Sequence, residues 1–331
     1  MGVSSMNDTW YYLREFESTD LITRYIKLKY GYNVQKSKAH EIASAFVQGR
    51  EFFRSSQKSD LSVMPILQYY GVMALSRGLI LILRRDKREN SIKPSHGLTM
   101  SNWDGCFPTA SVTISNGTFL ELIRATENVS HFRSASSGVN WSIQFPEPTE
   151  GEKVSLSSLS LCFPDLFNQV GTWLGDTPPS VCLNELKVNG ESFDIKVNKE
   201  IEPSMLQKIC PPDIFTDAQV TKAGDEHHLI ISSKTLPNFA QKWVSHFQVI
   251  GDVFLCPPLS NDLRLNLIST MFATSNLLST VSRYHPSVWQ NVIRGIKNDS
   301  ILPFIVSMLD LISERFPLTI KDHLKAHTNI D

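Results

Sequence analysis

Between Val63 and Leu83 the chain is apolar around almost the whole circumference of a helix, and this stretch constrains the fold more than any other. Ile66, Leu67, Tyr70, Met73, Ala74, Leu75, Leu79, Ile80 and Leu83 leave no continuous polar face, so other elements must surround the helix. Pro65 suits its first turn, where a missing N–H is no loss. Gly71, Ala74, Ser76 and Gly78 let neighbouring helices come close, at a cost in helix propensity that packing must offset. The longest uninterrupted apolar run, Gly78 to Leu83, lies between Arg77 and Arg84 and falls far short of the ~20 residues of a membrane span. The stretch is therefore expected at the centre of a globular core, with no membrane contact. The polar start from Met1 to Trp10 shows no signal-peptide pattern, so the expected location is cytoplasmic.

Helical periodicity continues on the N-terminal side. Tyr12, Leu13, Phe16, Leu21, Ile22, Tyr25, Ile26 and Leu28 recur at three- and four-residue intervals, with a break at Ser18-Thr19-Asp20 that suits a helix cap. Gly31 fits a helix end. Ala39, Ile42, Ala43, Phe46, Val47, Arg50 and Phe53 line one face of a helix from Ser37 to Ser55, with Ser37 as its expected N-cap. Beyond Ser91 the texture turns to short alternating segments. Val112 to Ile114, Gly138 to Phe145, His228 to Ser232 and His246 to Leu255 read as strands, and Asn116-Gly117 reads as a hairpin turn. Leu186, Val188, Asn189-Gly190, Phe193, Ile195 and Val197 form the clearest hairpin. Ser155 to Trp173 reads as helical or irregular around Pro164. Helices return at Leu263 to Tyr284, Ser287 to Ile296 and Ile301 to Phe316, the last ended by Pro317. The expected class is α+β. A helical part over 1–100 precedes a mixed or antiparallel β part over 101–256, and a helical part over 257–331 packs on the N-terminal helices.

Charge and cysteine usage remove several function classes. With 32 Lys and Arg against 33 Asp and Glu, the net charge is −1, without the basic excess of a dedicated nucleic-acid binder. Only a local patch could serve that role. The candidate is Arg84, Arg85, Lys87, Arg88 and Lys93 with His96, tempered by Asp86 and Glu89. It reads either as a solvated helix end or as a contact for a phosphate or an acidic partner. Five widely spaced cysteines, Cys106, Cys162, Cys182, Cys210 and Cys256, contain no C-x-x-C pair, so buried reduced thiols are expected and no metal or cofactor is implied. Phosphate-loop, dinucleotide, nucleophile-elbow and H-E-x-x-H motifs are all missing.

Two constellations remain. Arg124 and His131, six residues apart, match the kind of Arg/His spacing found in HEPN-type ribonucleases, where both residues handle the scissile phosphate at a helix end. Here they fall where strand and loop are expected. His227-His228 beside Asp225-Glu226 would give a metal at most one histidine, because strand neighbours point to opposite faces.

Several segments together resemble the YaaC-like family of bacterial proteins. They are Trp10 and its helix, Gln68-Tyr69-Tyr70-Gly71, His96-Gly97-Leu98, Gly117-Thr118-Phe119, Leu159 to Pro164-Asp165-Leu166, and Ser282-Arg283-Tyr284-His285-Pro286-Ser287-Val288-Trp289. The resemblance spans essentially the whole chain and implies no catalytic assignment. Its N-terminal helices are similar in texture to HEPN-type domains, which is an analogy of fold alone. In the Arg283 element, Tyr284 and Trp289 are expected as apolar packing residues around the turn at Pro286. Arg283 is expected on helix-end carbonyls or an acidic partner, with binding as the other role.

The leading expectation is a non-enzymatic interaction or regulatory protein that binds a protein partner, with a homo-oligomer as one form open to it. The alternative is an RNA- or nucleotide-directed effector of a bacterial defence or toxin-like system, using Arg124, His131 and the Arg84 to His96 segment. A third is a small-ligand pocket between the helical and β parts.

Overall fold

The computed structural model describes residues 6–133, 139–189, 192–197, 200–209, 217–224, 226–232, 253–260 and 263–326. The N-terminal helices are α1 (Met6–Leu13), α2 (Thr19–Tyr30), α3 (Lys36–Ser56) and α4 (Met64–Leu83). The break before α2 is the one expected: the Ser18 hydroxyl accepts the Leu21 N–H at 3.4 Å, and Gly31 ends the helix in the left-handed region at φ 71°. The N-cap position of α3 is Gln35, which makes no side-chain cap bond, and not Ser37, whose hydroxyl accepts from Arg88 instead.

Helix α4 is the central element. By length and composition it passes for a membrane span, although two thirds of its apolar window is buried inside the fold. It packs on α3 through small residues: a Cβ placed on Gly71 would stand 2.7 Å from the Phe53 ring, and one on Gly78 would stand 2.7 Å from Phe46. Burial of Leu75, Leu79, Ile80, Leu81 and Ile82 offsets the glycines' propensity cost.

After α4 come β1 (Leu98–Ser101), β2 (Ser111–Ile114) and α5 (Thr118–Ala125). Asn116-Gly117 is therefore no hairpin turn but the entry to a helix. Gly117 is extended at φ 164°, so its role is close approach rather than turn formation. A two-stranded ribbon follows, β3 (Val129–Arg133) with β4 (Val139–Gln144). Then come β5 (Lys153–Ser155), α6 (Leu156–Ser160) and α7 (Phe167–Leu174). Strands β1, β2 and β5 form an antiparallel sheet in the order β1-β2-β5.

The second sheet is antiparallel throughout. It comprises β6 (Val181–Asn189), β7 (Ser192–Val197), β8 (Asp217–Ala223), β9 (Glu226–Ser232) and β10 (Val253–Leu255), in the order β10-β6-β7-β9-β8, with the short α8 (Pro203–Ile209) between β7 and β8. The Leu183 to Val197 hairpin is present, closing with Asn189 opposite Ser192. Residues 246–252 of the strand expected at His246 to Leu255 lie outside the described residues.

Three helices complete the fold: α9 (Leu267–Tyr284), α10 (Pro286–Ile293) and α11 (Leu302–Ala326). Helix α11 does not stop at Pro317 but runs nine residues further. Burial of Ile320 and Leu324 outweighs the hydrogen bond that the proline removes. Helix α9 lies against α4 and α5, and α11 against α1, α4 and α9. One apolar core runs from Leu13 to Leu324 and includes residues of α5, α6, α7 and the first sheet. The class is α+β.

Candidate functional site

The approach of two glycine-bearing segments shapes the site. Helix α5 begins with free backbone N–H groups, and the loop before β1 supplies their acceptors: Thr118 N–H donates to the Ser95 carbonyl at 3.0 Å and Phe119 N–H to the His96 carbonyl at 3.0 Å. The contact leaves no room for side chains at the crossing. A Cβ on Gly117 would lie 2.4 Å from the Gly97 nitrogen, and Gly97 itself holds φ 79°. The Ser95 hydroxyl closes the clasp on the Asn116 carbonyl at 2.9 Å. His96 is thereby held at the N-terminal end of β1.

A second polar knot fixes α9. Asn266 caps it by accepting the Ser269 N–H at 3.0 Å, while the Asn266 backbone N–H donates to the Asn128 side chain at 2.8 Å and its amide donates to Thr126 at 2.8 Å. Asn128 sits at φ 49° and also donates to the Arg264 carbonyl at 3.0 Å. All of these groups are buried and paired, which sets the helix axis.

Between β1 and the C-terminal half of α9 lies a cavity of about 620 Å³. One wall is the strand from Leu98 to Ser101, continued by Asn102 and Trp103. The other is Asn276, Thr280 and Arg283 of α9 with Tyr284 and His285, and His96 closes one end. Asn276, Thr280 and Arg283 recur at four and three residues, so they share a helix face. Trp103 packs on His285 with ring centroids 5.1 Å apart.

Among the described residues Arg283 is the only lining side chain of fixed charge, and none of those lining the cavity is a carboxylate. Its guanidinium donates to the Tyr70 hydroxyl at 3.2 Å and lies 4.7 Å over the Tyr284 ring, while its Nε is buried without a hydrogen-bond partner. This differs from the expected pairing with carbonyls or an acid. His96 presents a buried Nδ1 that also lacks a partner, and its ring lies 5.3 Å from Tyr69. Burial first, and then the Arg283 charge, hold the His96 pKa below its ordinary value. At neutral pH the site therefore offers one fixed cation and a neutral imidazole.

The other residues singled out from sequence have different neighbours. Trp289 is fully buried and donates its indole N–H to the Leu61 carbonyl at 3.1 Å, a packing role, whereas Tyr284 is 65% exposed and lines the cleft against Arg283 instead of packing in the core. Arg124 belongs to the last turn of α5 rather than to strand or loop, and it pairs with Glu147 at 2.8 Å and Glu121 at 3.7 Å. His131 lies on β3 and contacts Ser142 at 2.8 Å and His323 at 3.1 Å. His228 pairs with Asp194 at 2.7 Å, and no group of three metal-ligating side chains occurs among the described residues. Cys162, Cys182 and Cys256 are buried thiols, but Cys106 is exposed; Cys210 lies outside the described residues.

Carboxylates within the chain pair with three members of the basic cluster. Arg88 holds Glu41 with both Nε and Nη2, the shortest contact being 2.5 Å, Lys87 pairs with Glu121 at 2.9 Å, Arg84 with Asp86 at 3.2 Å, and Arg85 lies 4.6 Å over the Tyr32 ring. Lys38, buried below, caps the end of α4 by donating to the Arg84 carbonyl at 2.8 Å and the Arg85 carbonyl at 3.0 Å.

Of the segments that carry the family resemblance, His96 to Leu98 and the Arg283 element line this cavity, Tyr69 contacts His96 and Tyr70 contacts Arg283, and Gly117 to Phe119 braces the loop before β1. The chain matches the family model described as YaaC-like Protein over residues 14–324, nearly its whole length, and it belongs to that family. No curated protein and no solved structure matches it.

Proposed function

We propose that the protein is a non-enzymatic binding protein, regulatory in role, that takes an anionic group of its ligand in the cleft between β1 and α9. The observation that carries this reading is the Arg283 guanidinium, the one fixed cation among the described lining residues, which also include His96 and no carboxylate. An anion on a guanidinium makes charge-assisted hydrogen bonds, about twice as strong as neutral ones. The described lining residues include no carboxylate, so they lack the paired acids of glycoside hydrolysis.

An RNA-directed effector has less support. Carboxylates occupy Arg124, His131 sits against His323 and Ser142, and the Arg84 to Lys93 segment is largely neutralised within the chain. A cytoplasmic setting, with the partner another protein, fits the reading.

Titrating the protein with acetate, benzoate, hippurate and inorganic phosphate while following tryptophan fluorescence tests it, because Trp103 lines the cleft. A saturable change that disappears in Arg283→Met is expected. If no anion gives saturation, or if the response survives in Arg283→Met, the proposal is wrong. A turnover activity abolished by His96→Gln would equally overturn the non-enzymatic reading.

A further inference from the structure

The cleft has a directional feature that an anion site alone does not need. Strand β1 stands at the end of its sheet, and β2 is its only strand partner among the described residues. Its pairing fixes which backbone groups face outward. Ser115 N–H donates to the Gly97 carbonyl at 2.9 Å, whereas Ile114 N–H turns the other way, to the Glu152 carbonyl at 2.8 Å. In an antiparallel pair such bonded and non-bonded positions alternate, so Thr99 and Ser101 bond to β2. Leu98 and Met100 then direct their N–H and C=O groups at the open edge, along the cavity wall. An edge with unspent backbone groups is a template for another strand.

Resting on the binding reading above, we infer that the ligand is an extended peptide ending in a free α-carboxylate. It adds to the outer edge of β1 and lies between that edge and the Asn276–Thr280–Arg283 face of α9. Placing a peptide strand between a sheet edge and a helix is a recurrent means of peptide recognition, in which main-chain hydrogen bonds give affinity and the pockets give selectivity. The terminal carboxylate sits on the Arg283 guanidinium at the His96 end of the cleft. Because His96 precedes β1, the added strand runs antiparallel to it. The four residues of β1 span roughly 14 Å at about 3.4 Å each, enough to pair three or four peptide residues. Alternate side chains of that peptide face Trp103 and Met100 on one side and the exposed end of the cleft on the other. The charges agree: the lining has one fixed cation and no carboxylate to repel the terminus.

The test is selection of a displayed library of random hexapeptides with free C-termini on the full chain, followed by synthesis of an enriched sequence as acid and as C-terminal amide. The expected results are an acid that binds about 10-fold or more tighter than its amide, and loss of that difference in Arg283→Met. The bound acid should also slow amide hydrogen exchange at Leu98 and Met100. The acid and amide are compared on the unaltered protein, so the folding of a variant does not enter that result. Equal binding of acid and amide, or unchanged exchange at Leu98 and Met100, overturns the inference. If no peptide is enriched while hippurate still saturates through Arg283, the peptide inference fails and the anion-binding reading stands. If neither binds, both fail.

Discussion

Gln68 of α4 and Ser313 of α11 hold each other across the helix interface at 2.8 Å, with neither side chain open to solvent. The same Gln68 amide donates to the Leu309 carbonyl at 2.6 Å. Removing it orphans two acceptors and leaves a void beneath α11. Gln68→Ala is expected to destabilise the fold by about 2–4 kcal/mol, read from the urea midpoint at unchanged slope.

Gly117→Ala tests the clasp that positions His96. The new methyl would press on the Gly97 backbone, which cannot step aside as a flexible side chain would. A loss of about 2–3 kcal/mol in stability is expected. Ligand binding at Arg283 should weaken by a larger factor than in an equally destabilised variant far from the cleft.

Lys38 gives the fold a pH signature. Burial lowers its pKa from 10.5 to about 8. Between those values the unfolded chain holds more protons than the folded one, so stability rises with pH across that window. Tyr12 and Tyr30, pushed up to about 12 by burial, act in the opposite sense only from about pH 10. Chemical denaturation at pH 7.5 and 9.5 should show a gain in the wild type that exceeds the gain in Lys38→Met by about 1 kcal/mol.

His96 links binding to protons. Its pKa is held down by burial and by Arg283, and an anion on Arg283 relieves the second cause. Ligand affinity should rise about 3- to 10-fold as pH falls from 7.5 to 5.5, with proton uptake visible by calorimetry in buffers of different ionisation enthalpy. His96→Gln should flatten that profile.

Arg88→Ala separates structure from function in the basic cluster. The variant loses the fork on Glu41 at a solvent-screened surface site, so the urea midpoint should fall only slightly. Affinity for the cleft ligand should stay within twofold of wild type.

The helices were legible because their apolar residues recur with the period of the surface they bury: α2, α3 and α4 follow Ile22, Ile42 and Leu79 almost to the residue. What failed was punctuation. Asn116-Gly117 carries the composition of a hairpin turn, yet the Ser95 and His96 carbonyls wait across the crossing, and they make it a helix start. Pro317 has the composition of a stop, but Ile320 and Leu324 still have core to fill. The site shows the same division. Arg283, His96 and the Tyr69-Tyr70 pair were each visible in the sequence, but nothing there brings positions 70, 96 and 283 together. The unspent edge of β1 was invisible, because it depends on which neighbour β1 lacks.

The Tyr25 hydroxyl donates to the Leu324 carbonyl at 2.6 Å across a sequence separation of 299 positions. During synthesis the α11 partner of α1 and α2 is thus made about 300 residues after them. At about 5–20 residues per second, the apolar surface it covers waits roughly 15–60 s for it. Until then α2 can already pack on α3, but the seam that α1 and α2 share with α11 closes late.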